Sequence, residues 1–343
     1  MFRFNKLVTL TGVAVTLLAS PLAAANNLKV VSTFSIISDF AENVGGNRIT
    51  LTTLVGPNND AHTYEPRPSD VTAVKNADLV LANGANFEGF LGRLVQASGS
   101  TAEVVELTEG IQLLRNTHDD DHDHSNDQHH NDHHHHKNHK HDDKHGGHTD
   151  HHHHHDSHAG GHNHSHGEYD PHAWQSVPNA RIYVNNIAEA FCSADPGGCP
   201  SYRENAKSYD AKLITLEKEL ESLVSEIPLD KRTAITSHDA FGYLAQEYGF
   251  QFLAPQGAST GSEASAQTVA KLIQQIKQQQ ASALFVENIS NPQLIQQIAS
   301  ETGMKVGGKL YSDALSTEDG DAATYIDMMR HNISTIRDTI LNQ

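Results

Sequence analysis

Between residues 28 and 107 the apolar positions change period several times. Residues 28–33 are β-rich. Ile36, Ile37, Phe40, Ala41 and Val44 then recur at helical spacing, and Gly45-Gly46 stops that helix. Residues 49–55 read as a second strand, Arg67-Pro68-Ser69-Asp70 opens a short helix, and 78–82 is a buried strand. The spacing predicts a helix over 87–95 and extended chain over 102–107. Strand and helix alternating at this pace predict an α/β lobe with a mostly parallel sheet.

A longer pattern begins at Tyr202. Tyr209, Leu213, Leu216, Leu220, Leu223 and Ile227 are three or four residues apart, which predicts one long amphipathic helix ended by Pro228. The alternation then resumes. Strands are predicted over 233–237, 250–254, 283–286 and 305–311, and helices over 240–248, 265–279, 291–302 and 322–340. The expected architecture is two α/β lobes with mostly parallel sheets, residues 26–200 and 228–343, joined by one linking helix over 201–227. A cleft between two such lobes is the natural ligand site.

Two segments break this pattern. Residues 1–25 combine Arg3 and Lys6 with an apolar run over 7–18 and the small residues Ala23-Ala24-Ala25. That is the pattern of a secretory signal peptide, cleaved before Asn26. The run is short for a membrane span and is interrupted by Thr9, Thr11, Gly12 and Thr16. No cysteine near the cleavage site offers a lipid anchor, so a soluble exported chain is expected. Residues 118–166 hold 22 of the 26 histidines, with ten Asp and three Lys. They lack apolar periodicity and are expected to be disordered, because nothing there offsets the entropy of ordering. Chemically, so many imidazoles form a weak, multisite and pH-sensitive metal binder.

The formal net charge of -18 argues against a nucleic-acid partner, which requires a basic face. The only two cysteines, Cys192 and Cys199, are separated by Ser-Ala-Asp-Pro-Gly-Gly. In an exported protein a disulfide closing a short turn is favoured over a two-thiolate metal site.

Outside the histidine-rich run remain His62, His172, His238 and His331. The first three lie in loop-like segments. His62 and His238 follow predicted strands, as does Asp313, and ligands in open α/β sheets bind beyond the carboxyl ends of strands. Each residue also has an ordinary reading: a surface or capping histidine, a turn aspartate, and for His331 a place in the middle of a helix. Together, neutral imidazoles and one carboxylate suit a tetrahedral divalent metal.

Three local motifs carry a resemblance. Pro57-Asn58-Asn59-Asp60-Ala61-His62-Thr63-Tyr64-Glu65-Pro66-Arg67-Pro68-Ser69-Asp70, Asp170-Pro171-His172-Ala173-Trp174 and Ser237-His238-Asp239-Ala240-Phe241-Gly242-Tyr243 resemble the metal-binding proteins of bacterial ABC importers for zinc and manganese. So does Phe285-Val286-Glu287-Asn288 before a helix ending Glu301-Thr302-Gly303, and so does the Tyr202-x-x-Asn205 helix. The resemblance covers nearly all of the chain after residue 25. It implies two α/β lobes bridged by one rigid helix, with the metal held between them by His62, His172, His238 and Asp313. The manganese branch generally has Glu where this chain has His238. Three imidazoles with one carboxylate favour Zn²⁺, and a long His- and Asp-rich insertion is typical of the zinc branch. The implied protein is a periplasmic, monomeric zinc-binding protein that delivers its ion to a membrane permease, with a periplasmic metallochaperone as a further candidate partner. The alternatives are an exported zinc-dependent hydrolase and a manganese or iron importer component. A hydrolase needs an open zinc position and a general base, for which Glu287 and Glu65 are the candidates, but no His-Glu-x-x-His motif is present.

Overall fold

The computed structural model describes residues 27–116 and 167–342. The expectations for the signal segment and for the histidine-rich run fall outside these residues. In the first lobe, strands β1 (Leu28–Phe34), β2 (Ile49–Val55), β3 (Leu79–Ala82) and β4 (Glu103–Glu106) form a fully parallel sheet in the order β2-β1-β3-β4. Helices α1 (Ser35–Gly45), α2 (Pro68–Lys75) and α3 (Leu91–Ser98) connect them. In the second lobe β5 (Thr233–Ile235), β6 (Gln251–Leu253), β7 (Ala283–Glu287) and β8 (Val306–Leu310) are likewise parallel, in the order β6-β5-β7-β8. Their helices are α6 (Gly242–Tyr248), α7 (Ala266–Gln279), α8 (Gln293–Thr302) and α9 (Tyr325–Leu341). Each sheet changes winding direction once, between β1 and β3 and between β5 and β7, and such a switch leaves a crevice at the strand ends.

Between the lobes run α4 (Val177–Ala194) and α5 (Cys199–Ser225). The long helix predicted from the Tyr209–Ile227 spacing is α5, which starts three residues before Tyr202 and buries Tyr209, Leu213, Leu216, Leu220 and Val224. It touches both lobes. Tyr209 donates to Asp39 of α1 at 2.9 Å, and Glu219 accepts from Arg330 of α9 at 2.7 and 2.9 Å. Helix α4 has no counterpart among the elements predicted from the sequence. Its signals are present: Ser176 caps the Asn179 N–H, Pro178 sits in the first turn, and Ala180, Tyr183, Val184, Ile187 and Phe191 form one buried stripe. A disulfide joins Cys192 in its last turn to Cys199 at the start of α5, fixing the turn between the two helices. Helices α3 and α6 start later than predicted, because Phe87, Phe90 and Phe241 are buried from the loops that precede them. No helix among the described residues is long and apolar enough to cross a membrane.

The junction of α1, α5 and α9 is centred on a buried carboxyl. Asp39 accepts from Tyr209 Oη and from the Tyr325 N–H at the start of α9. Burial pushes its pKa from the usual 3.8 up to about 6, with Glu42 and Asp327 adding to the rise and the two hydrogen bonds opposing it. The folded protein thus keeps a proton that the unfolded chain surrenders between these values. The associated stability is complete below pH 3.8 and is lost as pH rises through about 6. Asp39→Asn is therefore expected to stabilise the fold at pH 8 by about 3 kcal/mol and to change nothing near pH 3.5. Thermal melts of both proteins across this range check it, and an equal effect at both pH values refutes it.

Candidate metal centre

Four side chains from separate parts of the chain meet between the lobes. His62 comes from the loop after β2, and His172 from the segment before α4. His238 follows β5 and Asp313 follows β8. Their donor atoms all lie within 4.8 Å of one another, and this is the one such cluster of His, Cys or acidic side chains among the described residues. Asp313 Oδ2 is 3.2 Å from His62 Nε2 and 3.1 Å from His238 Nε2. Its Oδ1 is 3.6 Å from His172 Nε2. The Nε2 atoms of His62 and His172 are 3.4 Å apart. Ligands about 2.0–2.1 Å from a tetrahedral ion are separated by about 3.3 Å, so these spacings suit one small divalent cation.

The ring orientations are set from outside the cluster. Asp170 Oδ1 takes the Nδ1 side of His172 at 2.7 Å and also its backbone N–H at 2.9 Å. Glu287, the last residue of β7, lies 2.6 Å from His238 Nδ1. Its other oxygen accepts the backbone N–H groups of Ser237 and His238. With Nδ1 occupied, each imidazole turns Nε2 towards the centre, the arrangement by which carboxylates orient metal-binding histidines. In the sequence Asp170 stands out only as part of a motif, and Glu287 as a candidate base. Glu287 is buried and committed to His238, while Glu65 is exposed.

A low-polarity wall surrounds the donors. Phe87 packs edge-on against His62 and His172, and Trp174 lies beneath Phe34, Phe87 and His172. Left-handed backbone at Ala85 and Asn86 turns the chain after β3 to present Phe87 there. Trp174 Nε1 and Gln175 Nε2 both donate to Ser312 O, and Tyr325 Oη donates to Trp174 O. The segment bearing His172 is thus pinned to the second lobe beside Asp313.

Electrostatically the centre is a buried anion facing imidazoles. Burial raises the Asp313 pKa, but His238 and His172 outweigh it and hold the carboxyl well below its usual range. Burial opposes a charge on His238. The carboxylates of Glu287 and Asp313 prevail, and hold it well above the usual imidazole range. Burial lowers His62, with Asp313 opposing. His331, read as an ordinary helix residue, lies outside the cluster: its Nε2 is 2.9 Å from Lys309 O, and its ring meets Tyr311 edge-on.

Known proteins resemble this chain over most of its length. Residues 30–339 match the family described as zinc-uptake complex component A, periplasmic (ZnuA). The manganese-binding lipoprotein MntA of Halalkalibacterium halodurans is 30% identical, with 90% of this chain and 87% of the relative covered. The iron-binding protein YfeA of Yersinia pestis is 29% identical over 92% of this chain and 88% of its own. The structure of the periplasmic zinc-binding protein TroA of Treponema pallidum is similar with a TM-score of 0.74 at 26% identity, covering 92% of this chain and 99% of that one. The family consists of solute-binding proteins of ABC transporters and not of enzymes, so the hydrolase alternative falls. The chain belongs to the zinc-uptake component A family, the periplasmic metal-binding components of ABC metal importers.

Proposed function

We propose that this protein captures Zn²⁺ in the periplasm, holds it with His62, His172, His238 and Asp313, and delivers it to the permease of an ABC importer. The observation that carries this reading is the convergence of three imidazole nitrogens and one carboxylate between the lobes. Imidazole suits zinc, whereas manganese favours oxygen-rich, higher-coordinate sites. Relatives of similar identity are named for manganese and for iron, so the choice of ion rests on the donor set. The 22 histidines of residues 118–166 supply additional weak sites.

Titration of the full chain and of a variant lacking residues 118–166, with zinc and with manganese, tests this. The expected result is one tight zinc site in both proteins, several weak sites lost with the deletion, and zinc held at least about a hundredfold more tightly than manganese. Loss of the tight site with the run would contradict the ligand assignment. Manganese bound as tightly as zinc would favour a manganese or iron importer component.

A further inference from the structure

His62 differs from the other three donors in how it is held. His172 and His238 are fully buried and each is fixed by a buried carboxylate. Asp313 is buried among the histidines. His62 instead stands on an irregular loop and lines an interlobe cavity of about 850 Å³. Across that cavity from Asn86, Phe87 and Tyr169 runs the loop of Gln256, Gly257 and Ser259 in the second lobe. None of the other three donors lines this cavity, so a metal reaching the centre through it passes His62 first.

One carboxylate connects the His62 loop to that opposite wall. Asp60 Oδ1 accepts the backbone N–H of His62 at 2.8 Å, and Oδ2 accepts Thr63 Oγ1 at 3.1 Å. Oδ2 also accepts the hydroxyl of Thr260, from the second lobe, at 2.5 Å. The loop's other attachment to the second lobe lies at Asn58. Its N–H donates to Leu315 O at 2.9 Å, and its Oδ1 accepts from Asn288 at 3.2 Å. Apart from the contact of His62 itself with Asp313, the tie to the second lobe nearest the donor is the hydrogen bond between Asp60 and Thr260.

We propose that Asp60 and Thr260 form an interlobe latch that keeps His62 against the other three donors and sets the rate at which the bound metal leaves. This rests on the reading of His62 as a metal ligand. Asp60 and Thr260 are positioning residues, since neither belongs to the donor cluster. With the latch closed, the Asp60 carboxylate fixes the backbone of His62 and the second-lobe loop together. With it open, the His62 loop keeps its local turn but loses its tie to the far wall. The donor on the cavity side is then the first to come away from the ion. A hydroxyl bound to a carboxylate is a charge-assisted hydrogen bond, stronger than a neutral one.

The test is the zinc release rate of the full chain, loaded with one equivalent of zinc and mixed with excess chelator. Thr260→Val is expected to release zinc about tenfold faster, with the number of tight sites unchanged and the melting temperature of the metal-free protein lowered by no more than a few degrees. Thr260→Ser, which keeps the hydroxyl, is expected to restore the wild-type rate. In an Asp60→Ala background, Thr260→Val should add nothing. A wild-type release rate in Thr260→Val overturns the latch, and so does an equal effect of that substitution with and without Asp60. His62→Ala separates the two levels. Unchanged zinc affinity there contradicts the ligand assignment itself, whereas weakened affinity with normal release in Thr260→Val contradicts only the latch.

Discussion

Zinc affinity is expected to fall by a hundredfold or more in His238→Ala and to stay unchanged in His331→Ala. Four-ligand structural zinc sites are worth about 10–16 kcal/mol, so one ligand accounts for roughly 3 kcal/mol, about two orders of magnitude in Kd. His238 is the more sensitive choice because its loss also leaves the buried carboxylate of Glu287 without its imidazole partner. Asp313→Ala should weaken binding as well, since it removes the one anion that approaches all three imidazoles. His331 is the matched control, a histidine whose ring nitrogen is engaged by Lys309 O. Competition against a chelator of known affinity checks all three. Equal losses in His238→Ala and His331→Ala would mean that the convergent set has been misassigned.

Acidification gives the second large effect. A protonated imidazole has no lone pair to donate, so zinc and protons compete for the centre. The carboxylates of Glu287 and Asp313 hold His238 above the usual imidazole range, so protons compete with zinc for it from a higher pH than for a free imidazole. Affinity should therefore begin to fall at a pH above that at which a free imidazole protonates. As the remaining imidazoles are protonated at lower pH, the slope should steepen towards three protons per zinc. Burial lowers the pKa of His62, so protons compete for it only below the pH at which a free imidazole protonates. Asp313, held well below its usual range, stays ionised and adds nothing to the slope. Zinc affinity of the variant lacking residues 118–166, measured from pH 8 to pH 5, shows this directly. A flat profile would exclude a site built from imidazoles.

The alternation of apolar runs made both sheets legible, because buried parallel strands such as Leu79–Ala82 are continuously apolar and their helices carry one buried stripe. Helix α4 has its cap at Ser176 and one buried stripe, but Val177, Asn179, Ile182, Tyr183, Val184, Asn185 and Asn186 are weak helix formers and blur its helical period. The late starts of α3 and α6 were not legible. A phenylalanine at a helical interval looks the same whether it packs from a helix or, like Phe87 and Phe241, from the loop before it. The three histidines and Asp313 stood out as loop residues near predicted elements. Asp170 is two positions from His172, and its contact is local. Glu287 is 49 positions from His238, and only the pairing of β5 with β7 brings them together. The Asp60–Thr260 contact spans 200 positions and crosses between lobes, so no local pattern could reveal it.

The most direct measurement is X-ray absorption at the zinc edge of the variant lacking residues 118–166, loaded with one equivalent of zinc. The expected spectrum has four nitrogen or oxygen neighbours at about 2.0–2.1 Å, with the multiple-scattering signature of three imidazoles. A sulfur neighbour, a six-coordinate oxygen shell or fewer than three imidazoles would contradict a centre built from His62, His172, His238 and Asp313.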